Sequence, residues 1–219
     1  MKKINVITID GPSASGKGAL SRKIAHNFGF NILDSGILYR LFAYFSNKKI
    51  DNDEISKKIK NEVSFKLNKE LVSILYKRKD ITNKLRTEEI AKIASQMSAK
   101  SETRKSLFNI QRNFYTESGL VADGRDMGTV VFQDAKLKIF LTASSEIRAK
   151  RRYLELQILG QEVNMPDLIA DIEERDLKDS SRKLSPLIPA DDSHIIDSSD
   201  MSLEEVFSLT ENLVKKEFI

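Results

Sequence analysis

Seven residues near the start of the chain, Gly11-Pro12-Ser13-Ala14-Ser15-Gly16-Lys17, have the spacing G-x-x-x-x-G-K. Residue types in that order suit the grip of a polyphosphate. Small side chains let successive backbone N–H groups turn inward and approach phosphate oxygens closely. A helix beginning near Gly16 adds the positive end of its dipole. Lys17 brings a mobile ammonium to the terminal phosphates. The run Gly11, Pro12, Ser13, Ala14, Ser15, Gly16, Lys17, Gly18 and Ala19 is therefore the expected triphosphate site. It departs from the usual pattern in one respect. Ser or Thr normally follows the Lys and holds Mg²⁺, but here Gly18 and Ala19 carry no hydroxyl. Phosphates, water and a carboxylate from elsewhere then have to hold the metal, which needs only one or two carboxylates. Asp123 is the first expectation, through water, and Asp10 the second.

Other polar clusters lie where strands are expected to end. These are Asp34-Ser35-Gly36 with Tyr39-Arg40, then Asp123-Gly124-Arg125-Asp126, then Thr142. Arg40 and Arg125 can fork around a second phosphate. Further on, Arg175 and Asp179 are four residues apart and Arg182 follows, so a helix would put them near one face. As residues alone they fit a surface ion pair better than a binding site, and Arg148, Arg151 and Arg152 fit a solvated helix face. The chain has no cysteine, which excludes disulfides, thiolate catalysis and Cys-based metal sites, and its two histidines, His26 and His194, are far apart.

The elements that must position these groups follow from pattern. Ile4 to Asp10 is short, β-branched and halted by Gly11-Pro12, a strand. Leu20, Ile24, Ala25 and Phe28 recur at helical spacing until Gly29. Asn31–Leu33 reads as a strand and about Ile37 to Phe45 as a helix. The segment 46–85 is rich in Lys, Asn, Asp and Glu. Val63–Leu67 and Leu71–Tyr76 alternate around Asn68-Lys69 as a hairpin, and the segment reads as an insertion carried by the main sheet. Thr87–Lys100 and Glu102–Tyr115 read as helices. Leu120–Ala122 and Leu137–Leu141 read as buried strands. Ser144 caps a helix towards Leu159, with Gly160 as its stop. Asp167–Lys178 and Leu203–Lys216 are helical, and His194–Asp197 is a last strand. Apolar strands alternating with helices predict an α/β fold, a P-loop NTPase-type parallel sheet flanked by helices on both sides. The 219 residues, with 40% hydrophobic, are enough for a sizeable core, and a net charge of +4 suits an anionic ligand without proving one. The first residues lack a signal-peptide pattern and no run reaches the roughly 20 apolar residues of a membrane span. A cytoplasmic protein is expected.

The sequence resembles the bacterial cytidylate kinase family. The matching segments are Ile7 to Ser13, Asp34-Ser35-Gly36 with Tyr39-Arg40, Ala94-Ser95-Gln96, Asp123 to Phe132, Lys138 to Leu141, Ala143 to Glu146, and Glu174-Arg175-Asp176. They run in order along nearly the whole chain, and Asp123 to Phe132 is the most specific. The resemblance implies in-line transfer of the γ-phosphoryl group of ATP to CMP or dCMP, with Mg²⁺. It implies that Ser35, Ser95, Arg104 and Asp126 read the pyrimidine, that Arg40, Arg125 and Arg182 grip the acceptor phosphate, and that Arg175 and Asp179 meet the sugar. It places Lys17, Asp123, Arg125, Arg151 and Arg152 at the transferred group, with Arg148, Arg151 and Arg152 on a short lid of about residues 148–160. It implies one kinase unit over 1–219. Residues 1–45 and 86–219 form its core, and 46–85 are an inserted part of the monophosphate-binding region. ATP and CMP or dCMP are the expected partners of a monomer, with no nucleic acid and no membrane. Ala19 stands where the family usually has Thr. The phosphate loop also permits two other readings: a kinase for another monophosphate or small metabolite, and a nucleotide-dependent switch. The switch would need an N-K-x-D element to read guanine, and Asn83-Lys84-Leu85-Arg86 lacks the Asp.

Overall fold

The computed structural model describes residues 2–48, 50–68, 71–158 and 160–218. Among these, five parallel strands form the central sheet in the order β2-β6-β1-β7-β8. They are β1 (Ile4–Asp10), β2 (Asn31–Asp34), β6 (Leu120–Gly124), β7 (Ala135–Thr142) and β8 (His194–Asp197). β1 lies in the middle, paired with β6 on one side and β7 on the other. All strands end at the same edge, so the loops that follow β1, β2 and β6 converge there.

Strand alternation sorts the core into two layers. Ile7, Ile9, Val121, Leu137 and Ile139 pack with α1 (Lys17–Phe28) and α9 (Leu203–Phe218) through Leu20, Ile24, Val206 and Val214. Val6, Leu120, Ala122 and Ala135 face the opposite way, onto α2 (Ser35–Ser46) and residues 81–94 and 107. The expected sheet with helices on both faces is thus present. Cover thins at the edge of the sheet: Ile195 in β8 is 63% exposed. An edge strand has one neighbour and less cover than a central one.

Local signals account for most boundaries. The Asp34 carboxylate accepts from the Ile37 N–H at 3.1 Å and caps α2, two residues before the expected start. Gly29 closes α1 with φ 67°. Ser144 caps α7 (Ser145–Ile158), accepting from the Ile147 N–H at 3.3 Å; the expected end at Leu159 lies outside the described residues. Segment 46–85 holds α3 (Asn52–Glu62), β3 (Val63–Asn68), β4 (Leu71–Tyr76), β5 (Lys79–Asp80) and α4 (Thr82–Leu85). The hairpin pairing is as expected, Phe65 opposite Ile74, although its turn residue Lys69 lies outside the described residues. Helix α3 and strand β5 are additions to the sequence reading. The three strands form a separate antiparallel sheet rather than extending the main one. Ile55, Ile59, Ile74, Ile81 and Leu85 join the same core as α2. Then come α5 (Glu88–Ser98), α6 (Ser101–Arg112), a π-helical turn over Met127–Val131, and α8 (Met165–Ser180).

Candidate functional site

The phosphate loop leaves β1 with a backbone that other residues could not follow. Gly11 has φ 149°, and a Cβ there would lie 2.0 Å from the Leu141 carbonyl oxygen of β7. Gly16, at φ 94°, turns the chain into α1. Lys17 is buried, and its Nζ donates to the Pro12 carbonyl at 2.6 Å. Burial, then the Arg125 charge, pushes its ammonium down to about 7, against the pull of Asp123 and Asp10. Burial likewise pushes the Asp123 carboxyl up to about 6, with Lys17 opposing.

Two carboxylates end neighbouring strands, and register decides what each can do. Asp123 pairs with Ile9 and so lies on the α1 face. A Cβ on Gly18 would sit 3.4 Å from its Oδ2. Asp10 pairs with Gly124 and points to the other face. Both of its oxygens are taken there, accepting from the Met127 N–H at 2.9 Å and the Gly128 N–H at 2.7 Å. Asp10, the second expectation for the metal, is therefore a structural acceptor, and Asp123 is the carboxylate beside the loop. Among the described residues no three His, Asp or Glu converge as a metal cage. A hard, water-keeping cation fits Asp123 with phosphate oxygens as the remaining ligands.

A cleft of about 250 Å³ opens from Lys17 between α2, α5, β6 and α8. All nine residues expected on the acceptor side line it: Ser35, Arg40, Ser95, Arg104, Arg125, Asp126, Arg175, Asp179 and Arg182. Lys17, Asp123, Ser13 and Ala14 close its donor end. Six cationic side chains and four carboxylates share the lining, an excess that suits an anionic ligand. Asp179 takes Arg125 Nε at 2.9 Å, with Arg182 at 3.6 Å on its other oxygen. Burial opposes its charge, but these arginines outweigh burial and hold the carboxyl below its ordinary value. Arg175 and Arg182 are thus not a surface face. Asp126, buried, takes Arg104 Nη1 at 2.6 Å, and Arg104 also donates to the Ser98 carbonyl at 2.6 Å. Arg40 donates to the Leu85 carbonyl at 2.8 Å. Gln111 on α6 donates to Ser35 Oγ at 2.9 Å.

The arginines of α7 stand elsewhere. Arg151 wraps the outside of the loop, donating to the carbonyls of Ser15 at 3.2 Å and Ser198 at 2.7 Å. Arg148 donates to the Ser13 carbonyl at 3.3 Å and pairs with Asp176 at 2.5 Å. Arg152 meets Glu155 at 3.1 Å on an exposed face. None of the three lines the cleft: Arg148 and Arg151 meet the loop through its outward carbonyls, and Arg152 pairs within its own helix. Sequence reasoning missed Ser98, whose Oγ accepts from Arg182 at 3.1 Å, and Gln111. Ser98 had a signal: Ala91, Ala94, Ser95 and Ser98 form a stripe of small residues at i, i+3, i+4 and i+7 along α5, all lining the cleft. Gln111 had none, since a lone Gln on a charged helix usually faces solvent.

Known proteins resemble this chain over nearly its whole length. The cytidylate kinase family model matches residues 7–216. The cytidylate kinase of Acinetobacter baylyi is 43% identical over 96% of this chain and 96% of its own length. That of Photorhabdus laumondii is 44% identical over 96% of this chain and 95% of its own. A solved structure of an uncharacterized protein from Eubacterium ventriosum has TM-score 0.56 at 10% identity, covering 98% of this chain and 99% of that one, a likeness in fold alone.

Proposed function

The chain belongs to the cytidylate kinase family, and on that premise we propose that it transfers the γ-phosphoryl group of ATP to CMP or dCMP. The observation that carries the reading is the single cleft that joins a phosphate loop with its lysine to a wall of arginines and a buried Asp126. A carboxylate accepts hydrogen bonds and cannot donate. Asp126 suits the exocyclic amino group that cytosine has and uracil lacks. Arg40, Arg125 and Arg182 suit the acceptor phosphate, and Arg175 with Asp179 the sugar, whose hydroxyls Asp179 can accept. Ser35 and Ser95 complete the base site.

Phosphoryl transfer of this kind requires positioning and charge neutralisation rather than covalent catalysis. The acceptor oxygen is already anionic, so no general base is needed. Lys17 leaves the Pro12 carbonyl and follows the β- and γ-phosphates, while Arg125 holds the attacking phosphate in line. Mg²⁺, held by Asp123 through water, would add charge neutralisation at the donor phosphates. The units proposed for this work are a core of residues 1–45 and 86–219, the 46–85 insertion and a lid over about 148–160. Closure excludes water, the competing acceptor. In it Arg151 and Arg152 approach the transferred group from α7. The protein works as a cytoplasmic monomer. Among the described residues no helix is long and apolar enough to cross a membrane.

The test is ADP release from ATP with CMP, dCMP, UMP and AMP as acceptors. CMP or dCMP is expected to lead by kcat/KM. A preference for AMP would overturn the assignment of the acceptor.

A further inference from the structure

Six of the ten residues of the most specific run in the sequence, 127–132, line no part of the cleft, and Asp10 stands beside the phosphate loop without facing it. The two meet each other. Asp10 closes β1 on the face away from α1, buried, and its two oxygens accept from the consecutive N–H groups of Met127 and Gly128. These open the π-helical turn that follows Asp126. A carboxylate only accepts, so two backbone donors aimed at it make a two-pronged clamp.

The fit around the clamp leaves no slack. A Cβ on Gly128 would lie 2.8 Å from Thr8 Oγ1 and 3.3 Å from Asp10 Oδ2. One on Gly124 would lie 2.7 Å from Met127 Cγ. At the far end of the turn Arg112 donates to the Val131 carbonyl at 3.1 Å while pairing with Asp134. Between Gly124 and Met127 lie only Arg125 and Asp126, both in the cleft. Arg104 fixes the Asp126 carboxylate; Asp10 fixes the backbone that carries it.

We infer that Asp10 is a positioning residue for pyrimidine recognition, setting where Arg125 and Asp126 stand through the Met127–Gly128 backbone without itself touching the nucleotide. The inference rests on the reading of Asp126 as the group that meets the base. It also separates cleanly from the donor end. Asp10 favours the charged form of Lys17, but Lys17 serves every acceptor alike, so the ratio between two acceptors does not register it.

The isosteric variant Asp10→Asn replaces one accepting oxygen with an amide that donates, so one of the two N–H groups faces a donor. The ratio of kcat/KM for CMP over UMP is expected to fall about tenfold, with KM for CMP rising more than KM for ATP. Gly128→Ala, which pushes on the same clamp without changing charge, should lower the same ratio. It carries the test if Asp10→Asn does not fold; loss of folded protein in both variants would make the pair plain core and overturn the inference. Asp126→Ala is the reference. If it keeps the full preference for CMP, the base-site reading fails and the inference with it. If it loses the preference while both clamp variants keep theirs, the inference alone fails.

Discussion

The two ends of the cleft are built on different plans. The donor end is one unbroken stretch from Gly11 to Lys17, and its shape is backbone. Gly11 is required because β7 passes too close for a Cβ, and Lys17 is the one charged side chain of the stretch, with Asp123 of β6 beside it. The acceptor end draws on α2, α5, α6, β6 and α8, and its shape is a net of ion pairs: Arg104 on Asp126, Arg125 and Arg182 on Asp179. A group in the first plan can be lost alone. A group in the second leaves its partners buried and uncompensated, which costs more than the pair contributes.

Removing Lys17 is the sharpest probe of the first plan. Lys17→Ala is expected to lower kcat on the order of 10³-fold, judged from the loss of one preorganised charge at a developing anion. The melting temperature should hold or rise, because Lys17 lowered to about 7 is a cation disfavoured by burial. Steady-state rates beside a thermal melt check both, and a variant within a few-fold of the parent rate would break the assignment.

The second plan predicts a different signature. Arg182→Ala should lower kcat/KM for CMP about 100-fold, the scale of losing a charged contact to phosphate. Asp179→Ala should instead destabilise the fold by about 3 kcal/mol, since Arg125 and Arg182 then face each other with no carboxylate between them. In denaturant melts the double variant Arg125→Ala/Asp179→Ala should lose less than the two singles together. Simple additivity would mean the acceptor wall is a set of independent contacts after all.

Proton linkage gives a smaller effect with a definite sign. In the free cleft Lys17 loses its proton as pH rises through about 7, well below its usual 10.5. A bound triphosphate restores the charge, so ATP binding takes up protons above about pH 7, and ATP affinity falls as pH rises there. Asp123, pushed up only to about 6, is mostly ionised in that range. Calorimetry in two buffers of different ionisation enthalpy measures the uptake; the same uptake in Lys17→Ala would place the proton elsewhere. The smallest effect concerns the missing hydroxyl. Gly18→Ser puts a side chain 3.4 Å from Asp123 Oδ2, next to the mobile end of Arg22, and is expected to lower the Mg²⁺ needed for half-maximal rate about threefold. A higher requirement would mean the metal does not sit beside Asp123.

The contrast between the two plans is also a contrast in what could be read from residues. Strand, glycines, lysine and helix of the donor end are neighbours in the chain, so their spacing already states their geometry. Caps behave the same way: Ser144 and Gly29 act within one turn of where they stand. Helix α3 was hidden because its apolar face is only Ile55 and Ile59 within a Lys- and Asn-rich stretch. The turn from β4 to β5 was hidden because Lys77 and Arg78 take φ 48° and 65°, values that Gly or Asn would have advertised.

By itself the sequence determined the parallel α/β sheet, the polyphosphate loop and, through its resemblance, the set of polar residues gathered at the other end of the cleft. It named two strand-end carboxylates, Asp10 and Asp123, without the means to separate their tasks, because both are the same residue type in the same kind of position. Tertiary structure separated them. Pairing Ile9 with Asp123 and Asp10 with Gly124 sends one carboxylate to the α1 face beside Lys17 and the other to the backbone of the π-helical turn. Side chains alternate along a strand with a period of two, so a single step in register chooses the face, and register is a property of paired strands.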